Sequence, residues 1–219
     1  EQSSRTQRFV MKPPPFDRQG VAIDDLIDFT PDLRAEAVKH VARFKLGPIF
    51  TPPVVSKWDG ALATLMLPNA TGGANWQGGS FDPETGIMYI FSNTQVSALG
   101  LVPGGERSDM AYILGQAPNP ENPKAAAVPV TIQGLPLIKP PYGRITAIDL
   151  NTGDLVWQIA HGETPDNVRN HPLLKGLTIP RTGRQGRIGT LVTRTLLVAG
   201  EGGLFTLPDG PRGAMLRAY

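Results

Sequence analysis

The stretch Gly143–Trp157, GRITAIDLNTGDLVW, decides the fold of this chain because it holds two strand patterns joined by a turn. Its first half alternates apolar and polar residues, which predicts a strand with Ile145 and Ala147 on one face and Arg144 on the other. From Leu155 onward the sequence has β character again, and the polar residues in between predict a tight turn. We therefore expect a β-hairpin here.

The spacing A-x-D-x-x-T-G-x-x-x-W within this stretch suits its residues to structural roles in the turn and in packing. Asp149 and Thr152 can hydrogen-bond to the backbone of the turn, and Gly153 can adopt a positive φ. Trp157 is large and flat and carries one N–H donor. Such a side chain suits packing against a neighbouring sheet and hydrogen bonding to it.

Composition indicates a β-rich chain with many turns. The 219 residues include 22 Pro and 25 Gly, and only 18% are charged, which is typical of short strands rather than a helical bundle. A net charge of +2 gives no reason to expect nucleic acid as a partner. The absence of Cys excludes disulfides, Cys-ligated zinc and thiol catalysis. No apolar run reaches the roughly 18 residues of a membrane span.

One helix is predicted near the N-terminus, after the polar and then proline-rich residues 1–20, which we call the strap. Thr30 is a suitable N-cap, Pro31 suits the first helical position, and Gly47 marks the end of the pattern. Apolar residues at helical spacing predict one packing face, made of Leu33, Ala37, Val38, Val41 and Phe44.

A hairpin pattern occurs twice in the chain. Residues 79–91 and 189–200 can be superposed as the same strand, turn and strand. Residues 215–219 can be laid over the start of the stretch at 143–157, which places Ala218 where Ala147 falls. Two copies of one unit indicate a repeat architecture. The second copy stops one residue short of the expected Asp, so we expect a piece of a longer or processed chain.

These segments resemble a known family. The A-x-D-x-x-T-G-x-x-x-W spacing is similar to the tryptophan-docking motif of quinoprotein dehydrogenases, eight-bladed β-propellers that use pyrroloquinoline quinone (PQQ). A plain hairpin with a buried Trp would explain that motif alone. Further segments resemble, in order, the C-terminal portion of the membrane-type glucose, quinate and polyol dehydrogenases: KPPPFDRQGV, DDLIDFTPDLRAEAV, GPIFTPP, GGANWQGGSFDPETGIMYI, HPLLKGL and GTLVTRTLLVAG.

The resemblance implies an all-β fold, a partial eight-bladed quinoprotein-type β-propeller with one inserted helix. Residues 1–219 would form the C-terminal part of a single propeller domain. Within it, residues 1–60 would hold the strap and the helix, residues 61–161 one blade with a long insertion, and residues 186–219 the start of the next blade.

The resemblance also implies a cofactor site. Asn75 would reach PQQ near the propeller axis, and Trp76 would form a wall of the same pocket, unless it is a core aromatic. Arg187 can pair with a cofactor carboxylate or can be solvated at the surface. His161 and His171 have neither a third ligand nor a nucleophile beside them, so no metal or base role is predicted for them.

The family's catalytic Asp and its Ca²⁺ ligands come from earlier blades, and no segment here matches them. We therefore expect no catalytic residue and no metal ligand in this chain. Members of the group oxidise an alcohol or sugar hydroxyl in the periplasm and pass electrons to ubiquinone. We expect a segment of such a dehydrogenase, acting on a sugar, cyclitol or polyol. It would be inactive without its remaining N-terminal blades, and a segment not present here would attach it to the inner membrane. The alternative is a non-enzymatic propeller that serves as a binding or assembly scaffold.

Overall fold

A computed structural model of the chain describes residues 10–207 and 209–219. Residues 1–9, the first part of the predicted strap, lie outside the described residues. The described chain consists mostly of strands with few helices, which confirms the all-β prediction. The helices are α1 (Pro31–Val41) and α2 (Asp166–Arg169), and the strands are β1 (Gly20–Val21), β2 (Gly47–Pro48), β3 (Val54–Val55), β4 (Thr64–Met66), β5 (Gly79–Asp82), β6 (Ile87–Asn93), β7 (Ser97–Pro103), β8 (Tyr112–Leu114), β9 (Thr131–Ile132), β10 (Leu135–Pro136), β11 (Gly143–Asp149), β12 (Asp154–Ala160), β13 (Thr190–Val192), β14 (Leu197–Gly200), β15 (Phe205–Thr206), β16 (Arg212–Gly213) and β17 (Leu216–Ala218).

The main sheet is built on the predicted hairpin β11–β12. It has four antiparallel strands in the order β5-β6-β11-β12. The turn between β11 and β12 forms as predicted, because Asp149 Oδ1 accepts a hydrogen bond from the backbone N–H of Asn151 at 2.7 Å. Gly153 has a φ of 72° in this turn, a conformation that favours glycine.

A second sheet repeats the first three strands of the main sheet, as predicted. It has the order β13-β14-β17, and its strands are antiparallel. Ala218 of β17 pairs with Val198 of β14, just as Ala147 of β11 pairs with Tyr89 of β6. The two sheets are therefore two copies of one unit with the same register.

Trp157 lies where these two sheets meet. It is half-buried and tilts against Tyr89, with ring centroids 5.7 Å apart. The contact agrees with the predicted docking role, whereas the predicted hydrogen bond from its indole N–H is absent within the described residues. The buried cluster that joins the sheets consists of Phe91, Ile145, Ile188, Leu197 and Ala199, with Trp157, Tyr89, Ile159, Val192 and Tyr219 packed around it.

Helix α1 begins where the sequence predicts. The Oγ1 of Thr30 accepts a hydrogen bond from the N–H of Leu33 at 3.2 Å, and Pro31 is the first helical residue. The predicted packing face is wrong at Val38, which is 40% exposed. The other four residues, Leu33, Ala37, Val41 and Phe44, are buried in the larger core cluster. No helix within residues 10–207 and 209–219 combines the length and apolarity needed to cross a membrane.

The predicted long insertion separates the second and third strands of the main sheet. It covers residues 94–142 and contains strands β7 to β10. Strand β7 pairs with β4, which precedes the main sheet in sequence. Of the residues 61–161 predicted as one blade, β4 therefore belongs to the sheet of the insertion, and the sheet of the blade starts at β5.

The strap covers the face of the main sheet that points away from the second sheet. Lys12 Nζ lies 3.0 Å from Asp154 Oδ1, and Gln158 Nε2 donates to the carbonyl of Phe16 at 2.7 Å. Gln158 is next to Trp157 in β12, and neighbouring residues of a strand point to opposite faces. The main sheet is thus packed on one face by the second sheet and on the other by the strap.

Candidate functional site

The predicted site residues lie at the edge of the two sheets where β5 and β13 begin. We call residues 72–78 the Asn75 loop and residues 185–189 the Arg187 loop. The backbone N–H of Asn93, at the end of β6, donates to the carbonyl of Gly73 at 2.9 Å. The side chain of Gln185 donates to the carbonyl of Thr94 at 3.2 Å. Both loops are therefore held against the end of β6.

Asn75 is half-buried and is held within its own loop. Its Nδ2 donates to the carbonyl of Thr71 at 3.1 Å, and its Oδ1 accepts from the N–H of Trp76 at 2.8 Å. An amide group has a second N–H and a second lone pair, so Asn75 retains capacity for one more donor and one more acceptor contact. Gly72 and Gly78 bound this loop with φ values of 87° and 63°.

Trp76 is fully presented to solvent, with 98% of its surface exposed. Within the described residues, Trp76 therefore belongs to neither buried core cluster. An indole with both faces free is available to cover a planar ligand.

Arg187 is exposed and makes no hydrogen bond or ion pair within the described residues. Its guanidinium is therefore free to pair with an anion, although no hydrogen bond joins it to the Asn75 loop in this part of the chain. A nearby arginine, Arg184, is instead held by packing, since its guanidinium lies 4.1 Å from the ring centre of Phe205. Burial lowers the pKa of Arg184.

His161 joins the two sheets, a role that the sequence did not reveal. Its Nε2 lies 2.8 Å from the carbonyl of Gly200, and its Nδ1 lies 2.9 Å from the hydroxyl of Tyr219. Because a carbonyl only accepts, Nε2 carries the proton and Nδ1 accepts from Tyr219. The ring is buried and packs edge-on against Phe91 at 5.7 Å.

Burial lowers the pKa of His161 despite its hydrogen bond to Gly200. The unfolded chain, with an ordinary His pKa of about 6.5, then takes up a proton at a higher pH than the folded chain. The contribution of His161 to the free energy of unfolding is therefore complete above about pH 6.5. It decreases as the pH drops toward the pKa of the folded state, by up to about 1.4 kcal/mol per pH unit. We expect urea denaturation of the wild type to show this loss of stability at low pH. The loss should be absent in His161→Gln and should persist in His171→Gln. An equal pH dependence in wild type and His161→Gln would exclude the assignment.

A buried ionic cluster lies beside His161. Arg217 of β17 donates from Nε to Glu201 and from Nη2 to Glu163, the latter at 2.5 Å. The side chain of Glu201 is 0% exposed, and its Oε2 accepts from the backbone N–H of Glu163 at 3.0 Å. Burial opposes the charge on Arg217, but the hydrogen bonds to both glutamates outweigh it and raise its pKa. The cluster links the end of β14, β17 and the loop after β12.

Metal coordination is not assigned to any residue of this site. Within residues 10–207 and 209–219, no group of three or more His, Asp or Glu side chains is arranged to hold a metal ion. The residues at the edge of the sheets instead offer an amide, an indole face and a guanidinium.

The sequence is similar to a family of known proteins. The family model for the PQQ glucose/ethanol/alcohol dehydrogenase β-propeller domain matches residues 1–218. The quinate/shikimate dehydrogenase (quinone) of Acinetobacter baylyi is 26% identical over 179 residues, which are 76% of this chain and 21% of that protein. The probable quinate dehydrogenase (quinone) of Xanthomonas campestris pv. juglandis is 31% identical over 49% of this chain and 15% of that protein. The glycerol dehydrogenase large subunit of Gluconobacter oxydans is 32% identical over 50% of this chain and 16% of that protein.

Proposed function

The chain belongs to the PQQ glucose/ethanol/alcohol dehydrogenase β-propeller family, and on that premise we propose that it forms the C-terminal part of a PQQ-dependent dehydrogenase. The whole protein oxidises a hydroxyl of a sugar, cyclitol or polyol and passes the electrons to ubiquinone. It works in the periplasm, attached to the inner membrane through a segment outside residues 1–219. The chain spans about a fifth or less of the length of the relatives described above, so other blades complete the enzyme.

The observation that carries this proposal is the pairing of a fixed amide with an exposed indole in the Asn75 loop. PQQ is a planar, anionic group that accepts two electrons from the substrate when bound. The free N–H of Asn75 can donate to a carbonyl or carboxylate of such a group, and Trp76 can cover its face. Arg187 can pair with one of its carboxylates. The donor set of this edge therefore fits the cofactor.

The remaining catalytic roles belong to other blades. Oxidation of an alcohol requires a base near the reacting carbon, and in this proposal that base and the Ca²⁺ ligands lie outside the chain. The residues described here bind and orient the cofactor. Relatives named for quinate and for glycerol support a polyhydroxylated substrate.

The proposal is tested with the full-length protein. PQQ and Ca²⁺ are added, and reduction of a dye is followed with glucose, quinate and glycerol as substrates. We expect reduction with at least one of them that depends on PQQ. No reduction with any alcohol would favour the scaffold function instead.

Replacing Asn75 by Ala is expected to weaken PQQ binding about three- to tenfold, since one hydrogen bond contributes roughly 0.5–1.5 kcal/mol. The melting temperature should change little, because the Asn75 loop adds no strand to the sheets. Titration of the apoprotein with PQQ measures the effect, and Asn170→Ala, an exposed amide outside the loop, is the control. Unchanged affinity in Asn75→Ala would remove this residue from the site.

A further inference from the structure

A buried ion pair connects the strap to the main sheet. Asp17 in the strap and Arg144 in β11 have side chains that are only 5% and 10% exposed, and Arg144 Nη2 lies 3.4 Å from Asp17 Oδ1. The hydroxyl of Thr94 bridges them, because it accepts from Arg144 Nη2 at 2.9 Å and donates to Asp17 Oδ1 at 3.0 Å. We call these three residues the Asp17 cluster.

A contribution to stability does not by itself explain why a buried ion pair occurs at the Asp17 cluster. Removing two charges from water costs energy that their attraction often fails to offset, so buried ion pairs are weak evidence for a stabilising role. Burial accordingly lowers the pKa of Arg144, with Asp17 opposing the shift. In some proteins a buried, hydrogen-bonded ion pair instead fixes the position of the groups around it.

The groups around the Asp17 cluster include the Asn75 loop. Thr94 directly follows Asn93, whose N–H donates to the carbonyl of Gly73 at 2.9 Å. A Cβ placed on Gly73 would lie 3.6 Å from Asp17 Oδ2, so the backbone of the loop rests beside the carboxylate. The loop is thus hydrogen-bonded to the end of β6, and its Gly73 lies next to the carboxylate of Asp17.

We propose that Asp17, Thr94 and Arg144 are positioning residues that fix the Asn75 loop in the conformation that receives the cofactor. The effect on the cofactor rests on the proposed function, whereas the effect on the loop does not. The strap is then a part of the functional site, although it lies at the opposite end of the chain from the Arg187 loop.

The chain offers a matched control for this proposal. Lys12 and Asp154 also tie the strap to the main sheet, at 3.0 Å, but both are largely exposed and neither contacts the Asn75 loop in the described structure. The test compares Asp17→Asn/Arg144→Gln, which removes both buried charges together, with Lys12→Gln/Asp154→Asn. Hydrogen exchange is measured in the full-length apoprotein at two amides, that of Asn93 and that of Gly78, which donates to the carbonyl of Asn75 at 2.9 Å. PQQ affinity is then measured by titration.

We expect both amides to exchange about tenfold faster in the Asp17→Asn/Arg144→Gln variant and to be unchanged in the control. PQQ affinity should fall about tenfold in the first variant only. Equal exchange in wild type and both variants would overturn the proposal, and so would equal acceleration in both variants or faster exchange without weaker binding. A wild-type protein that does not bind PQQ would refute the proposed function, while the exchange result still decides the role of the cluster.

A second pair of variants covers the case in which the double variant fails to fold. Thr94→Val removes the bridging hydroxyl and keeps both charges, whereas Thr94→Ser keeps the hydroxyl. We expect faster exchange at Asn93 in Thr94→Val and wild-type exchange in Thr94→Ser. Identical exchange in the two variants would contradict a positioning role for Thr94.

Discussion

Replacing Trp157 by Ala is expected to lower the free energy of unfolding by about 2–3 kcal/mol, somewhat less than truncating a fully buried aromatic costs, because Trp157 is half-buried. Trp157 packs against Tyr89 and against the cluster that joins the main sheet to the second sheet. Its loss removes contacts on both sides of that junction and leaves a cavity. Urea denaturation of the full-length protein measures the change.

Trp76 provides the matched control for this substitution. It is the same residue type but 98% exposed, so Trp76→Ala should change the unfolding free energy by less than about 0.5 kcal/mol. A loss below about 1 kcal/mol for Trp157→Ala would show that this indole does not hold the sheets together.

Replacing Arg217 by Met is expected to cost about 3–5 kcal/mol, because it removes the cation that hydrogen-bonds to the buried carboxylate of Glu201. The Glu201 side chain is 0% exposed and hydrogen-bonds to Arg217 Nε. Only the backbone N–H of Glu163 would remain as its partner among the bonds described above. Thermal and urea denaturation both measure the loss.

An exposed ion pair serves as the control for Arg217. Arg194 Nε lies 3.9 Å from Glu84 Oε2, with side chains 85% and 69% exposed. Because solvent screens such a pair, Arg194→Met should cost no more than about 0.5 kcal/mol. Combining Arg217→Met with Glu201→Gln should recover part of the stability, since no buried charge is then left unpaired. Similar losses in Arg217→Met and Arg194→Met would contradict the role of the buried cluster.

The parts of the fold that follow local rules could be predicted from the sequence. Alternation with a period of two identified the strands around Ile145, and the Asp149–Gly153 turn residues located the reversal of the chain. The repeat placed Ala218 opposite its partner in the same register as Ala147. The N-cap at Thr30 fixed the start of α1.

The parts that depend on distant residues could not be predicted. His161 and Tyr219 are 58 positions apart and meet only because the two sheets pack together. Asp17 and Thr94, 77 positions apart, meet because the strap folds back over the main sheet. Val38 fits the helical period but faces solvent, since periodicity shows which residues share a stripe and not how wide the packed face is.

In the candidate site, too, local features could be predicted from the sequence and features that depend on distant residues could not. Gly72 and Gly78 flank Asn75 in the sequence, and both have a positive φ in the structure. Whether Trp76 lies in a core or in solvent depends on what packs over it, and no local pattern contains that information. The assignments of Asn75, Trp76 and Arg187 to the cofactor stay predictions.

A structure of the full-length protein with PQQ bound tests the central claim most directly. We predict that the cofactor lies at the edge where β5 and β13 begin, with its plane against the indole of Trp76. The Asn75 amide should then be at hydrogen-bond distance, about 2.7–3.2 Å, from one of its oxygens. PQQ bound elsewhere, with both Asn75 and Trp76 in solvent, would contradict this account.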